Sequence, residues 1–173
     1  MDGGMNIRMR KKDWLILGGK LATRIVKDTD KGISQDKDGE KFKPYNKEYA
    51  IKKKQRRVLS KGPAVSNQIN PVNLRLTGAM LASIKARNAT NDSVEIFYGD
   101  GEKINGHRNP PKRFNKPKRN IVGLNDKNQR FVKKYIEIEK VKHDKIKDPI
   151  DPDTVLFGEI FVSFGPLNVL PKI

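Results

Sequence analysis

The sequence predicts an α+β fold: a small antiparallel sheet packed against two or three helices, with long loops and a C-terminal strand extension. Three observations point there. Trp14, Leu17, Leu21 and Ile25 recur at spacings of three and four, the period of an amphipathic helix. Residues 93–98 (SVEIFY) set Val94, Ile96 and Tyr98 on one face, as a half-buried strand does. Residues 154–164 (TVLFGEIFVSF) are rich in β-formers and follow a polar stretch with two Asp-Pro steps.

The elements follow in order. The first helix is expected from an N-cap at Asp13 to about Asp28. Gly18 and Gly19 lie inside it, at a cost of roughly 1 kcal/mol each relative to Ala. Such a pair also permits close approach of another backbone. Residues 28–46 read as a loop, punctuated by Gly32, Asp38-Gly39 and Pro44. A short helix starts with Asn46 as N-cap and runs into the KKKQRR stretch. Residues 60–75 are irregular. Thr77 then reads as the N-cap of a helix to about Arg87, with Leu76 and Leu81 as a hydrophobic staple. The 93–98 strand turns at residues 99–101, and residues 102–104 are expected to start a partner strand. Residues 105–120 read as an extended basic loop. Leu124 and Asn125 begin another helix, with Asn125 as N-cap and Phe131, Tyr135 and Ile138 on its apolar face, to about Glu139. The final segment reads as one long strand with a bulge or bend at Gly158, or as part of a hairpin. Two parts result: residues 1–140 as the α+β domain, and 141–173 as a polar linker and C-terminal β extension.

Composition limits the chemistry. The chain has 173 residues, no cysteine, two histidines and a formal net charge of +17. A disulfide scaffold, a thiolate nucleophile and a Cys-based zinc site are excluded. No apolar run approaches the roughly 18 residues of a membrane span, and the start carries no secretory signal pattern. Residues 41–61 hold nine Lys/Arg against one acid, and residues 103–119 hold seven and no acid. Such runs are solvated faces, or they dock phosphate polymers or acidic proteins. The exposed cations named for such docking are Lys52, Lys53, Lys54, Arg56, Arg57, Arg108, Lys112, Arg113, Lys116, Lys118 and Arg119.

No reactive constellation emerges. Asp28, Asp30, Asp36 and Asp38 do not fit the ligand spacing of a calcium loop. Leu17-Gly18-Gly19-Lys20 lacks the rest of a phosphate-binding loop. Glu95 is expected to face solvent, and His107 and His143 have no evident orienting carboxylate. Phe42, Tyr45, Tyr49 and Phe114 interleave with the basic runs and could stack bases, although Tyr45 and Tyr49 at i, i+4 also suit packing on the core. We expect neither an enzyme nor a bound cofactor or metal.

The order of motifs resembles the virion-morphogenesis, or tail-completion, family of tailed bacteriophages, relatives of head–tail joining and tail-terminator proteins. The pattern D-G-x-x-F-x-P-[YL]-[SN]-x-x-Y stands here as residues 38–49, with Phe42, Pro44, Tyr45, Asn46 and Tyr49, and leads into Lys52-Lys53-Lys54. L-T-G-x-L-x-x-S-I stands as residues 76–84, with Thr77, Gly78 and Ser83, and Met80 replaces the leucine. P-x-R-P-F-L-G-L-S stands as residues 117–125, with Gly123 and Leu124, and Asn120 and Ile121 replace the family's Pro-Phe. The likeness covers roughly residues 13–140.

The resemblance implies a structural virion protein of the neck or tail, made in the host cytoplasm. It implies a ring, commonly six-fold, that completes the tail or joins it to the head around the DNA channel. Partners would be further copies of the chain and neighbouring neck, connector or tail-tube proteins, with non-specific DNA contact and no membrane. Phe42, Pro44, Tyr45, Thr77, Gly78, Gly123 and Leu124 would serve the fold, and the cations would serve assembly. The final segment is expected to add a strand to a neighbour's sheet. The alternative from charge alone is a non-enzymatic basic nucleic-acid-binding protein of ribosomal or nucleoid type.

Overall fold

The computed structural model describes residues 9–55, 66–75, 78–110, 117–144 and 159–164. The order is α1 (Lys11–Asp30), α2 (Lys47–Lys54), α3 (Ala79–Ala82), β1 (Ile84–Arg87), β2 (Ser93–Tyr98), α4 (Gly101–Arg108), α5 (Asp126–Asp144) and β3 (Glu159–Phe164). The fold is α+β, as expected.

Helix α1 forms because one stripe of it is apolar. Trp14, Leu17, Leu21 and Ile25 are all buried. The helix begins three residues earlier than expected, with Arg10 at the N-cap in place of Asp13. Asp13 lies in the first turn, where its carboxylate accepts from Arg10 Nε at 2.9 Å and complements the positive end of the helix dipole. Trp14 donates Nε1–H to the Asn91 carbonyl at 2.8 Å and ties the helix start to the β1–β2 loop.

The two glycines of α1 have opposite surroundings. A Cβ on Gly18 would sit 2.7 Å from Val94 Cγ2 and 2.8 Å from Ala86 Cβ. The sheet therefore presses onto the helix at this point. A Cβ on Gly19 would meet nothing within 4 Å among the described residues. Gly18→Ala is expected to destabilise the chain by about 1–3 kcal/mol through overpacking. Gly19→Ala is expected to stabilise it by up to about 1 kcal/mol through helix propensity. Urea denaturation of the two variants checks the opposite signs.

The sheet has the order β1-β2-β3. Strands β1 and β2 are antiparallel, with Ile84 opposite Tyr98 and Arg87 opposite Glu95. Strand β3 joins the other edge of β2 in parallel, with Ser93 opposite Glu159 and Tyr98 opposite Phe164. Strand β3 thus pairs with its own chain, which corrects the expectation that this segment is donated to a neighbour's sheet. Residues 154–158 and 165–173 lie outside the described residues.

Three local expectations are corrected as well. The helix expected to reach Arg87 stops at Ala82, and residues 84–87 become β1. Lys85, Ala86 and Arg87 are good helix formers, but pairing with β2 supplies backbone partners and seats Ile84 in the core. The partner strand expected at 102–104 is instead part of α4, which buries Ile104 fully. Glu95, expected in solvent, is buried beneath Arg87 and Asn88: Arg87 Nε donates to Oε2 at 2.9 Å and Arg87 Nη2 to Oε1 at 3.1 Å. These bonds hold its carboxyl below the ordinary glutamate range.

The main core joins Leu21 and Ile25 of α1 to Phe42, Leu74, Leu81, Ile96, Tyr98 and Ile121. A second cluster joins Met9, Trp14, Leu17 and Val94 to Ile136 of α5. Helix α5 is capped as expected: Asn125 Oδ1 accepts from Asn128 N–H at 3.0 Å. It runs on to Asp144, beyond the expected end at Glu139. Asn128 is fully buried and donates Nδ2–H to Asp28 Oδ2 and to Gln35 Oε1, both at 2.9 Å, while Arg24 Nε donates to its Oδ1 at 2.9 Å. These bonds fix the 31–46 loop against α1 and α5.

Candidate assembly interface

The two basic stretches, far apart in sequence, meet at Tyr45. Asn46 caps α2 as expected, its Oδ1 accepting from Tyr49 N–H at 2.8 Å. The cap turns Tyr45 and Tyr49 inward, with ring centroids 4.9 Å apart. Lys53, one turn beyond Tyr49, follows on the same face. Its side chain is fully buried, and Nζ donates to the Tyr45 hydroxyl at 3.1 Å and to Asn73 Oδ1 at 2.6 Å. It lies 4.7 Å from the Tyr45 ring centre. From the second stretch comes Arg119, whose guanidinium lies 4.9 Å from the same ring. Its Nη2 donates to the carbonyls of Lys43 at 3.0 Å and Pro44 at 3.1 Å.

Tyr45 therefore holds two buried cations, and no carboxylate joins them among the described residues. Burial pushes the Lys53 ammonium down to about 8, and the Arg119 charge adds to the effect. Burial pushes the Tyr45 hydroxyl up to about 12. Arg119 Nε is buried with no hydrogen-bond partner among the described residues. Attraction to the Tyr45 ring offsets part of the desolvation cost of both cations, by about 1–2 kcal/mol each.

Lys53 and Arg119 were both expected on an exposed surface, and both are internal. Each reaches a ring and a neutral acceptor that the fold places beneath it, so neither faces a partner. Lys52, Lys54, Arg108 and Lys118 are exposed. Lys52 forms an i, i+4 ion pair with Glu48 on α2. Lys118 and Arg108 converge on Asp36, whose carboxyl is held low chiefly by the Ser34 hydroxyl, then by Asn120 and by these two charges. Arg119 N–H donates to the His107 carbonyl at 2.8 Å, which brings the end of α4 alongside residues 117–120. Arg56, Arg57, Lys112, Arg113, Lys116, Phe114 and Thr77 lie outside the described residues.

The motif residues have structural places. Phe42 is buried in the main core, and Leu124 packs against it. Pro44 supplies one of the carbonyls that hold Arg119. Gly78, rather than a serine or threonine side chain, occupies the N-cap of α3 at φ +79°, and Gly123 turns the chain into α5 at φ +103°. With Phe42 buried and Tyr45 covered by two cations, neither ring is presented as a base-stacking platform. Three of the four clustered aspartates diverge: Asp28 faces Asn128, Asp30 pairs with Arg75, and Asp36 faces Ser34 and Asn120. Among the described residues no group of three or more His, Asp or Glu side chains could hold a metal ion. Among them, too, no helix is long and apolar enough to cross a membrane.

Sequence reasoning missed the burial of Lys53 and Arg119. The signal for Lys53 was its spacing of four from Tyr49, itself four from Tyr45. Arg119 carries no comparable local signal. It also missed the pairing of α1 with α5, where Arg24 lies 4.3 Å from the Phe131 ring centre and Lys20 4.8 Å from that of Tyr135.

The fold and site define a small α+β protein in which basic segments are clamped by an aromatic residue. Comparison with protein families, curated proteins and solved structures finds no match.

Proposed function

We propose that the chain is a structural subunit of a tailed-phage neck or tail, which assembles into a ring that completes the tail or joins it to the head. One observation carries the reading. The described residues of the motifs that resemble those of the tail-completion family are built into a single unit: Phe42 into the core, Tyr45 into the clamp, Gly78 and Gly123 into helix starts. They support a scaffold whose exposed residues contact neighbours, without a reaction. The exposed cations Lys52, Lys54, Arg108 and Lys118 are the groups such a subunit would offer to acidic surfaces of adjoining copies or neck proteins.

The triple charge reversal Lys52→Glu, Lys54→Glu, Lys118→Glu tests it. All three side chains are exposed, so the fold is expected to persist, with a small fall in unfolding temperature from the lost Lys52–Glu48 pair and the lost Lys118 charge beside Asp36. Ring formation, followed by mass photometry, is expected to fall at least tenfold. Unchanged rings would remove these cations from the interface. A variant that loses duplex-DNA binding, from a wild-type chain that never forms rings, would favour the basic nucleic-acid-binding alternative.

A further inference from the structure

Among the described residues β1 is an edge strand, and its outer side opens into a groove of about 570 Å³ between α1 and α3. The floor is apolar, formed by Ala22, Val26, Leu81, Ile84 and Ala86. Gly99 N–H donates to the Ser83 carbonyl at 3.3 Å, which fixes the alternation of the β1–β2 ladder. Lys85 and Arg87 therefore bond toward β2, and the backbone groups of Ile84 and Ala86 point outward. No backbone partner for them is present among the described residues.

A second, independent feature is Gly19. It lines this groove, and its missing Cβ leaves open space. The fold explains Gly18 by the pressure of the sheet. No contact among the described residues explains Gly19, which weakens an exposed helix position by about 1 kcal/mol relative to Ala. A bare helix backbone beside an unpaired strand edge admits another main chain at close range.

The charges at the rim select the kind of chain. Lys27 and Lys85 line the groove with Arg75 and Asp30, and Asp30 is already engaged by Arg75 Nε at 2.5 Å. The uncompensated rim is positive on a chain of net charge +17. We propose that the groove beside β1 accepts an extended acidic segment of a partner protein, which adds a strand to the β1 edge. Main-chain bonds to Ile84 and Ala86 would hold it, alternate apolar side chains would enter the floor, and carboxylates would meet Lys27 and Lys85. The inference goes beyond the ring reading and does not depend on it.

The test uses the full chain with two synthetic decapeptides, one alternating valine and glutamate and one alternating valine and lysine. Amide hydrogen exchange is read by NMR. In the free chain the Ile84 and Ala86 amides are expected to exchange at least tenfold faster than those of Lys85 and Arg87. Saturating acidic peptide is expected to slow Ile84 and Ala86 at least tenfold, and the basic peptide to leave them unchanged. Gly19→Leu, whose side chain fills the groove from a position with open space, is expected to weaken acidic-peptide binding at least tenfold while leaving unfolding temperature equal or higher. Peptide binding that does not protect Ile84 and Ala86 would overturn the proposal, as would no binding. Equal protection by both peptides would also overturn it, and so would self-association of the chain through this edge that excludes the acidic peptide. Should Gly19→Leu fail to fold, the exchange pattern of the unaltered chain still decides.

Discussion

Lys53→Met is expected to stabilise the chain at pH 7, by about 2 kcal/mol, although it removes two hydrogen bonds from the interior. Lys53 is fully buried, and its amine is pushed down to about 8 from an ordinary 10.5. The folded chain therefore carries a charge at neutral pH that the unfolded chain carries at lower cost, a difference of about 3 kcal/mol. Methionine fills a similar volume without the charge. The acceptors it leaves behind keep other donors: Leu74 N–H donates to the Tyr45 hydroxyl at 3.1 Å, and Arg75 N–H to Asn73 Oδ1 at 3.2 Å. The net gain is smaller than the full desolvation cost because two bonds are lost.

The pH dependence has a definite sign. The folded-state value is lowered, so between 8 and 10.5 the unfolded chain binds more protons and stability rises with pH. The unaltered chain is expected to gain about 2 kcal/mol relative to Lys53→Met from pH 7 to pH 9.5, so that the variant's advantage disappears. Tyr45 acts in the opposite direction at higher pH. Its raised hydroxyl holds a proton that the unfolded chain releases above 10, so stability falls as pH rises toward 12. Urea denaturation of both chains at pH 7, 8.5 and 9.5 checks the prediction. A variant that is less stable at pH 7 would show that the Tyr45 and Asn73 bonds outweigh the buried charge.

Asn128→Ala is expected to cost about 3 kcal/mol. Asn128 is fully buried and links three segments through Asp28, Gln35 and Arg24. Removing it leaves the buried Asp28 carboxylate with one side-chain donor, Gln35 Nε2 at 3.4 Å, and strips Gln35 Oε1 of its donor. The effect is expected to be non-additive with Asp28→Asn, with a coupling of about 1 kcal/mol, because both substitutions act on one network. Denaturation midpoints of the single and double variants measure it. A loss below about 0.5 kcal/mol would mean that water replaces the amide at little cost.

The parts of this fold that were legible in the sequence carry their signals locally. The α1 stripe, the Asn46 and Asn125 caps and the alternation of β2 each lie within a few residues. Strand β1 was not legible because Lys85, Ala86 and Arg87 favour a helix in isolation, and only β2, several residues on, makes them a strand. Helix α4 has a single apolar anchor, Ile104, which sets no period. The clamp was legible as motif residues and illegible as a cluster: Lys53 sits in a run of three lysines and Arg119 in a basic run, and both runs look solvated. What buries them is Tyr45, together with Asn73 and the Lys43 and Pro44 carbonyls, brought in from other parts of the chain.

That burial changes the meaning of the charge. Two of the cations in the basic runs are internal, so the surface available to phosphate or to acidic partners is narrower than the runs suggest. Lys52, Lys54, Arg108 and Lys118 remain on it.

Negative-stain electron microscopy of the purified full chain, with mass photometry on the same sample, tests the assembly role most directly. Closed rings of uniform diameter are expected, with a mass that is an integral multiple of the 19.7 kDa subunit. A monomer at micromolar concentration that binds duplex DNA with a steep salt dependence, and forms no ring, would contradict it.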